Sequence, residues 1–210
     1  MQIRAYNLIV LALALFTMTV VLKGQDDTTT SREYQVKAGF LYNFIKFVDW
    51  PKEKVAESNE PVTIGIVGKD PFGNAFAPVK DKEDKGRKVL IKRFKPIEEL
   101  KKSGEKDKSL LEREIESLRK CHLLFICSSE EKSINEIINS VKDHSVLTIG
   151  DMQGFLESGG IINFIMEEKK VRFEINMTAA KRAKLKIRSQ LLRLAKRMVG
   201  DDGGKSNKDG

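Results

Sequence analysis

Val146 to Asn176 reads V-L-T-I-G-D-M-Q-G-F-L-E-S-G-G-I-I-N-F-I-M-E-E-K-K-V-R-F-E-I-N. It holds a short apolar run, a glycine-punctuated connection, and two further apolar runs joined by the polar tetrapeptide Glu167–Lys170. Two strand-like runs separated by a few residues without helical period spell a β-hairpin. The second run alternates: Val171, Phe173 and Ile175 share one face, and Arg172, Glu174 and Asn176 share the other. A four-residue loop sets Glu174 roughly opposite Asn163, which sends Ile162 and Phe164 to the apolar face and Asn163 to the polar one. A cation, a carboxylate and two amides then stand side by side. Such a cluster either binds something or only pairs with its neighbours, and residue chemistry alone leaves both readings open.

Working outward, Val146–Ile149 is the strand that feeds this hairpin, and His122–Cys127 is a nearly all-apolar run suited to a strand covered on both sides. Between them Ser128-Ser129-Glu130-Glu131 offers a capping box, opening a helix with Ile134, Ile137, Ile138 and Val141 inward. Strand, helix and strand make a βαβ unit, expected to cross over right-handedly. Further upstream, Glu33–Trp50 predicts a helix with Val36, Phe40, Phe44 and Val48 stepping by four, ended by Pro51. Val62–Val67 predicts a strand, leading into Gly68–Gly73. The glycine spacing there matches the start of a P-loop, but Asn74-Ala75 stands where Lys-Ser/Thr is required, so it reads as a tight turn. Lys88–Phe94 predicts another strand, Lys101–Lys108 a charge-rich loop, and Ser109 with Glu112 the capping box of a helix bearing Leu111, Ile115 and Leu118. After Asn176, Ala179, Ala180 and Ala183 suggest a short, tightly packed helix, and Leu191, Leu192, Leu194 and Ala195 a final one. The fold class is α/β: a single domain with a central mixed sheet, βαβ crossovers and a C-terminal hairpin, flanked by helices.

The chain has 210 residues, 40% hydrophobic and 32% charged, a globular composition. Its net charge of +8 does not point to nucleic acid, because Lys and Arg are spread along the chain and interleaved with Asp and Glu. At the N-terminus Arg4 precedes an apolar run from Leu8 to Leu22, the layout of a secretory signal over residues 1–24. No A-x-A site fixes the cleavage point, so an uncleaved anchor stays open. Residues 31–199 are then the folded domain and 200–210 a polar, glycine-rich tail. Cys121 and Cys127 fall in one predicted strand, which sets their Cα atoms about 20 Å apart, too far for a disulfide.

Catalytic chemistry is thin. His122 and His144 have no cysteine or carboxylate at metal-ligand spacing. Ser128 and Ser129 lack the glycine flanks of a nucleophile elbow. Asp151 follows a strand, where functional residues gather, but equally suits an N-cap for the turn after it. No catalytic residue, cofactor or metal is expected, and the protein reads as a binder rather than an enzyme.

These pieces carry a resemblance. V-K-A-G-F-L-Y-N-F-I-K-F-V-D-W-P (36–51), I-G-I-V-G-K-D-P-F-G (64–73), C-H-L-L-F-I-C-S-S-E (121–130), L-T-I-G-D-M-Q-G-F (147–155), G-G-I-I-N-F (159–164) and V-R-F-E-I-N (171–176) stand in the order and spacing of the YfiR/HmsC-like family, as do A-A-K-R-A-K-L-K-I (179–187) and Q-L-L-R-L-A (190–195). The resemblance runs from about Tyr34 to Ala195. It implies a periplasmic α/β signalling domain without enzymatic activity. Such a domain would dimerise and repress the periplasmic sensor domain of an inner-membrane diguanylate cyclase, and so hold down cyclic di-GMP and biofilm formation. It also implies a partner or ligand surface at Arg87, Asn163, Arg172, Glu174 and Asn176. A small ligand is a possible partner in the competing reading, a sensor domain serving another membrane receptor; nucleic acid is not. Two positions depart from the family pattern: Cys127 stands where a serine is usual, and Lys184 replaces a usual glycine.

Overall fold

The computed structural model describes residues 32–55, 60–79, 82–84, 86–102 and 108–200. The apolar N-terminal run and the 201–210 tail, and with them the export and tail expectations, lie outside the described residues.

The first helix, α1, spans 32–47. It stops earlier than its apolar period suggests, because the chain straightens into a short strand, β1 (Val48–Asp49), ahead of Pro51. β1 pairs antiparallel with β9 (Lys186–Ile187), and Arg188 clamps the junction with hydrogen bonds to both carboxylate oxygens of Asp49. The buried stripe of α1 is Ala38, Leu41, Tyr42, Phe44 and Ile45, while Val36 turns outward. After one turn of helix, α2 (Lys52–Val55), the sheet begins.

The main sheet has eight strands in the order β3-β4-β2-β5-β6-β7-β8-β10. These are β2 (Val62–Val67), β3 (Glu83–Asp84), β4 (Arg87–Phe94), β5 (Leu123–Ile126), β6 (Leu147–Gly150), β7 (Ile162–Glu167), β8 (Lys170–Asn176) and β10 (Arg197–Val199). From β4 through β7 the neighbours run parallel. β8 returns antiparallel to β7, and β10 lies parallel to β8. The expected mixed α/β domain is what forms.

Side chains alternate across this sheet into two cores. Ile64, Ile66, Phe125, Ile149, Phe164 and Phe173 face α1 and the C-terminal elements. Leu124 and Ile126 face the other layer, built from α3 (Ile97–Lys102), α4 (Lys108–Lys120) and α5 (Ile134–Val141). Both faces of β5 and β6 are covered and every residue in them is buried, as their unbroken apolar sequence requires.

The capping assignments need correction. Ser128–Ser133 forms a 3-10 turn before α5, and its carboxylate works at a distance: Glu130, fully buried, accepts from the N–H of Ile97 and so caps α3. Ser129 Oγ accepts from Lys69 N, holding the Gly68 turn. Ser109 lies inside α4 and accepts from Arg113. The charge-rich stretch from Lys101 enters as the end of α3, which only Ile97 and Leu100 anchor to the core. Near the C-terminus α6 (Met177–Arg182) forms as expected. The final helix is a single turn, α7 (Ser189–Leu192), after which the chain becomes β10 rather than continuing through Leu194 and Ala195.

Candidate functional site

The hairpin pairs Asn163 with Glu174, Phe164 with Phe173 and Ile162 with Ile175, the register its alternation predicts. The loop is tighter than expected. Strand pairing runs to Glu167↔Lys170, so only Glu168 and Lys169 turn the chain, both with positive φ (48° and 61°). That is the two-residue turn whose twist matches the flanking strands, made here without Asn or Gly.

β10 completes the polar face. Its register sets Arg197 beside Glu174, and the guanidinium grips the carboxylate through two parallel bonds of 2.7 and 2.9 Å. Lys196 Nζ lies 2.6 Å from Glu167, which draws that carboxyl below its usual range, the hydrogen bond being the largest cause. Arg172 reaches Glu167 only at 4.0 Å and is 50% exposed. The face is therefore a ladder of alternating charge in which Arg172 is held only loosely.

Next to this ladder, Asp151 begins the loop after β6. Gly150 precedes it because a Cβ there would sit 2.4 Å from the Phe155 ring. Asp151 Oδ2 accepts from Tyr34 Oη (2.9 Å) and from Lys37 Nζ (2.6 Å), both on α1, so its task is an inter-element ion pair rather than an N-cap. Lys37 also pairs with Glu33 at 2.5 Å and lies 4.4 Å from the centre of the Tyr34 ring. Burial first, and then the Asp151 carboxylate, pushes the Tyr34 phenol well above its ordinary range and keeps it protonated as a donor. The side chains of Lys37 and Asp151 are 3% and 6% exposed.

Asp151, Asn163, Glu174 and Arg197 line one groove of about 400 Å³, together with Gln153, Leu156, Glu157 and the Phe164–Met166 run. Two acceptors buried at its wall, Asp151 Oδ1 and Asn163 Oδ1, have no hydrogen-bond partner among the described residues. Asn163 is 7% exposed. Buried acceptors without donors cost free energy, and a molecule offering N–H or O–H groups in this groove would recover it.

Asn163, Arg172 and Glu174 thus meet on one face, as expected. Asn176 sits at its end but is used locally: Oδ1 accepts from Ala179 N and caps α6, while Nδ2 donates to Leu156 O. Arg87 does not join them. It lies on β4, with β2, β5, β6 and β7 between it and β8, and faces Asp84 at 3.8 Å. Sequence reading missed Arg197, Lys37 and Tyr34. For the α1 pair a signal existed: Tyr34, Lys37, Leu41, Phe44 and Val48 follow the helical period, so Lys37 occupies a core position. For Arg197 there was none, because β10 is too short to show a period.

The site has donors, acceptors and charges fit for recognition. His122 and His144 stand apart from it, and among the described residues no group of three His, Cys, Asp or Glu could hold a metal ion. Cys121 and Cys127 are both buried free thiols, and burial pushes the thiol of Cys121 up to about 11 and that of Cys127 higher still.

Comparison with one solved structure supports the fold. A conserved domain protein from Vibrio cholerae O1 biovar eltor is similar at a TM-score of 0.51 and 11% identity, over 79% of this chain and 60% of that one. An ABC domain from Streptococcus pneumonia, in complex with L-Trp, is similar at 0.45 and 10% identity, over 65% of this chain and 55% of that one. The chain thus spans under two thirds of either. No curated protein matches the sequence. The YfiR/HmsC-like family model matches residues 34–196, from the α1 tyrosine that holds Asp151 to the lysine that pairs with Glu167. The chain belongs to the YfiR/HmsC-like family.

Proposed function

We propose that this protein is exported by its N-terminal segment and works in the periplasm as a non-enzymatic repressor. It binds the periplasmic sensor domain of an inner-membrane diguanylate cyclase and holds it inactive, keeping cyclic di-GMP and biofilm formation low. The contact works by differential affinity: the repressor binds the inactive sensor more tightly than the active one, and a signal that weakens this preference releases the cyclase. It acts as a homodimer, as the family resemblance implies.

One observation carries the choice of surface. Arg172 stands half exposed on a charge ladder, loosely held by a single carboxylate 4.0 Å away, beside a groove with two unpartnered buried acceptors. An exposed guanidinium on a rigid strand can pair with a carboxylate on a partner without first breaking a strong intramolecular bond. The test is calorimetry between the full chain and the periplasmic sensor domains of the host's membrane cyclases. Wild type should bind one of them, and Arg172→Ala should bind it at least several-fold more weakly; equal affinity of the two removes this face from the reading.

The groove favours a second reading, a small-molecule sensor serving another membrane receptor. Its volume of about 400 Å³ falls in the range of small-ligand sites. Calorimetry against small anions and aromatic metabolites tests this: a saturable ligand with no effect on cyclic di-GMP favours the sensor.

A further inference from the structure

Among the described residues the sheet is open along one side. β2 pairs with the inner edge of β4 from Val89 to Phe94. On the outer edge, β3 pairs only with Arg87 and Lys88, and Val89 N donates to Lys82 O at 3.3 Å. Past Val89, no strand among the described residues lies against that edge. The direction of the backbone groups follows by alternation. Val89 turns its N–H outward, whereas Phe94 turns its C=O inward to accept from Gly68 N. Ile91 and Arg93 therefore aim both their N–H and C=O outward.

The side chains around these empty rungs have a definite chemistry. Val89, Ile91 and Arg93 open onto a groove of about 710 Å³ whose far wall is Phe76 and Ala77. Leu90, on the opposite face, is 50% exposed. The strand carries Arg87, Lys88, Lys92 and Arg93, and Lys95 follows. Asp84 and Asp70 answer Arg87 and Arg93. Lys92 lies over the Phe94 ring at 4.8 Å and pairs with no carboxylate among the described residues.

Basic residues on an open edge discourage strands of the same kind, and two copies of β4 laid side by side would press cation against cation. The same charge selects an acidic strand. We propose that the open edge of β4 receives an extended, acidic segment of another protein by strand addition. Backbone groups of that segment pair with Ile91 and Arg93. An apolar side chain enters the groove beside Phe76, and carboxylates meet Lys92 and Lys95. β2, β5 and β6 stand between this edge and the hairpin groove, and the proposal does not depend on the role given to that groove.

The probe is a short fluorescent peptide of alternating valine and threonine with glutamates at both ends, titrated into the full chain. Binding is read by anisotropy, and amide exchange by NMR. Expected are saturable, salt-sensitive binding and slowed exchange at the Ile91 and Arg93 amides. Ile91→Pro deletes an outward N–H at a position where an edge strand tolerates proline, and should abolish binding while cooperative unfolding is kept. Lys92→Glu leaves every backbone group in place and should weaken the glutamate peptide about tenfold while improving a lysine-flanked version. Three results would overturn the proposal: no binding by wild type, unchanged exchange at Ile91 and Arg93 under saturating peptide, or indifference to Lys92→Glu. Protection of the same amides in a concentration-dependent dimer without peptide also overturns it, by naming a second copy as the occupant.

Discussion

Lys37 Nζ of α1 lies 2.6 Å from Asp151 Oδ2, with both side chains almost wholly buried. This ion pair joins the first helix to the end of β6 across the α1-facing core, and Tyr34 adds a second donor to the same oxygen. Lys37→Met should therefore leave Asp151 buried with one neutral donor and lower stability by about 3 kcal/mol. Urea unfolding checks it; a loss below about 1 kcal/mol would mean that the pair contributes little.

Lys184 holds a left-handed backbone conformation, φ 56°, at the position where the resemblance implies a glycine. A residue with a Cβ costs roughly 1–2 kcal/mol there, partly offset by the greater freedom of glycine in the unfolded chain. Lys184→Gly should stabilise by about 0.5–1 kcal/mol and raise the melting temperature by a few degrees, measured by calorimetric melting. A fall in melting temperature would contradict this.

Gly160 stands against Phe155, whose ring would meet an added Cβ at 2.0 Å. Phe155 is fully buried. Gly160→Ala should destabilise by about 2–3 kcal/mol, read from denaturant midpoints, with Gly154→Ala as a comparison in open space but at positive φ (74°).

His122 accepts from Thr63 N through Nδ1. Burial, and then the cations Lys54 and Arg87, lower its pKa to about 4. The unfolded chain takes up this proton near the ordinary value of 6.5 and the folded chain does not, so this contribution is full above that value and lost as pH falls toward 4. Between pH 7.5 and 5 the loss should be about 2 kcal/mol. His122→Asn offers an acceptor without a titrating ring and should flatten that part of the curve, measured as urea midpoints against pH. An identical slope in wild type and variant would assign the effect to other groups.

How far the residues disclosed this structure varies with the length over which a pattern runs. The facing of Asn163 and Glu174 was readable because Val171, Phe173 and Ile175 keep period two, and a slip of one residue would have turned all of them to solvent. The length of the turn was not, since Glu168 and Lys169 give no sign of left-handed backbone. β10 was hidden for a different reason: a strand of three residues has no period of its own, and its place is set by Arg197 reaching Glu174, 23 residues away in sequence. Charge masked α3, where two buried residues anchor a six-residue helix. Glu130 capping α3 is equally non-local. Lys37 shows the opposite case, with the spacing of a core position and the chemistry of a surface one. Arg87 entered the candidate site by resemblance alone, and the strand order separates it from the hairpin.

Arg172 is the residue on which the functional reading rests. It is half exposed and holds only a distant carboxylate, so Arg172→Ala should change stability by less than about 0.5 kcal/mol. The most direct measurement is cellular cyclic di-GMP in three strains: gene present, gene deleted, and deletion complemented with Arg172→Ala. The account predicts a clear rise on deletion, return to the low level with the wild-type gene, and a level still raised with Arg172→Ala at equal protein abundance. Cyclic di-GMP that does not change on deletion would contradict the repressor reading, and full complementation by Arg172→Ala would contradict the surface assigned to it.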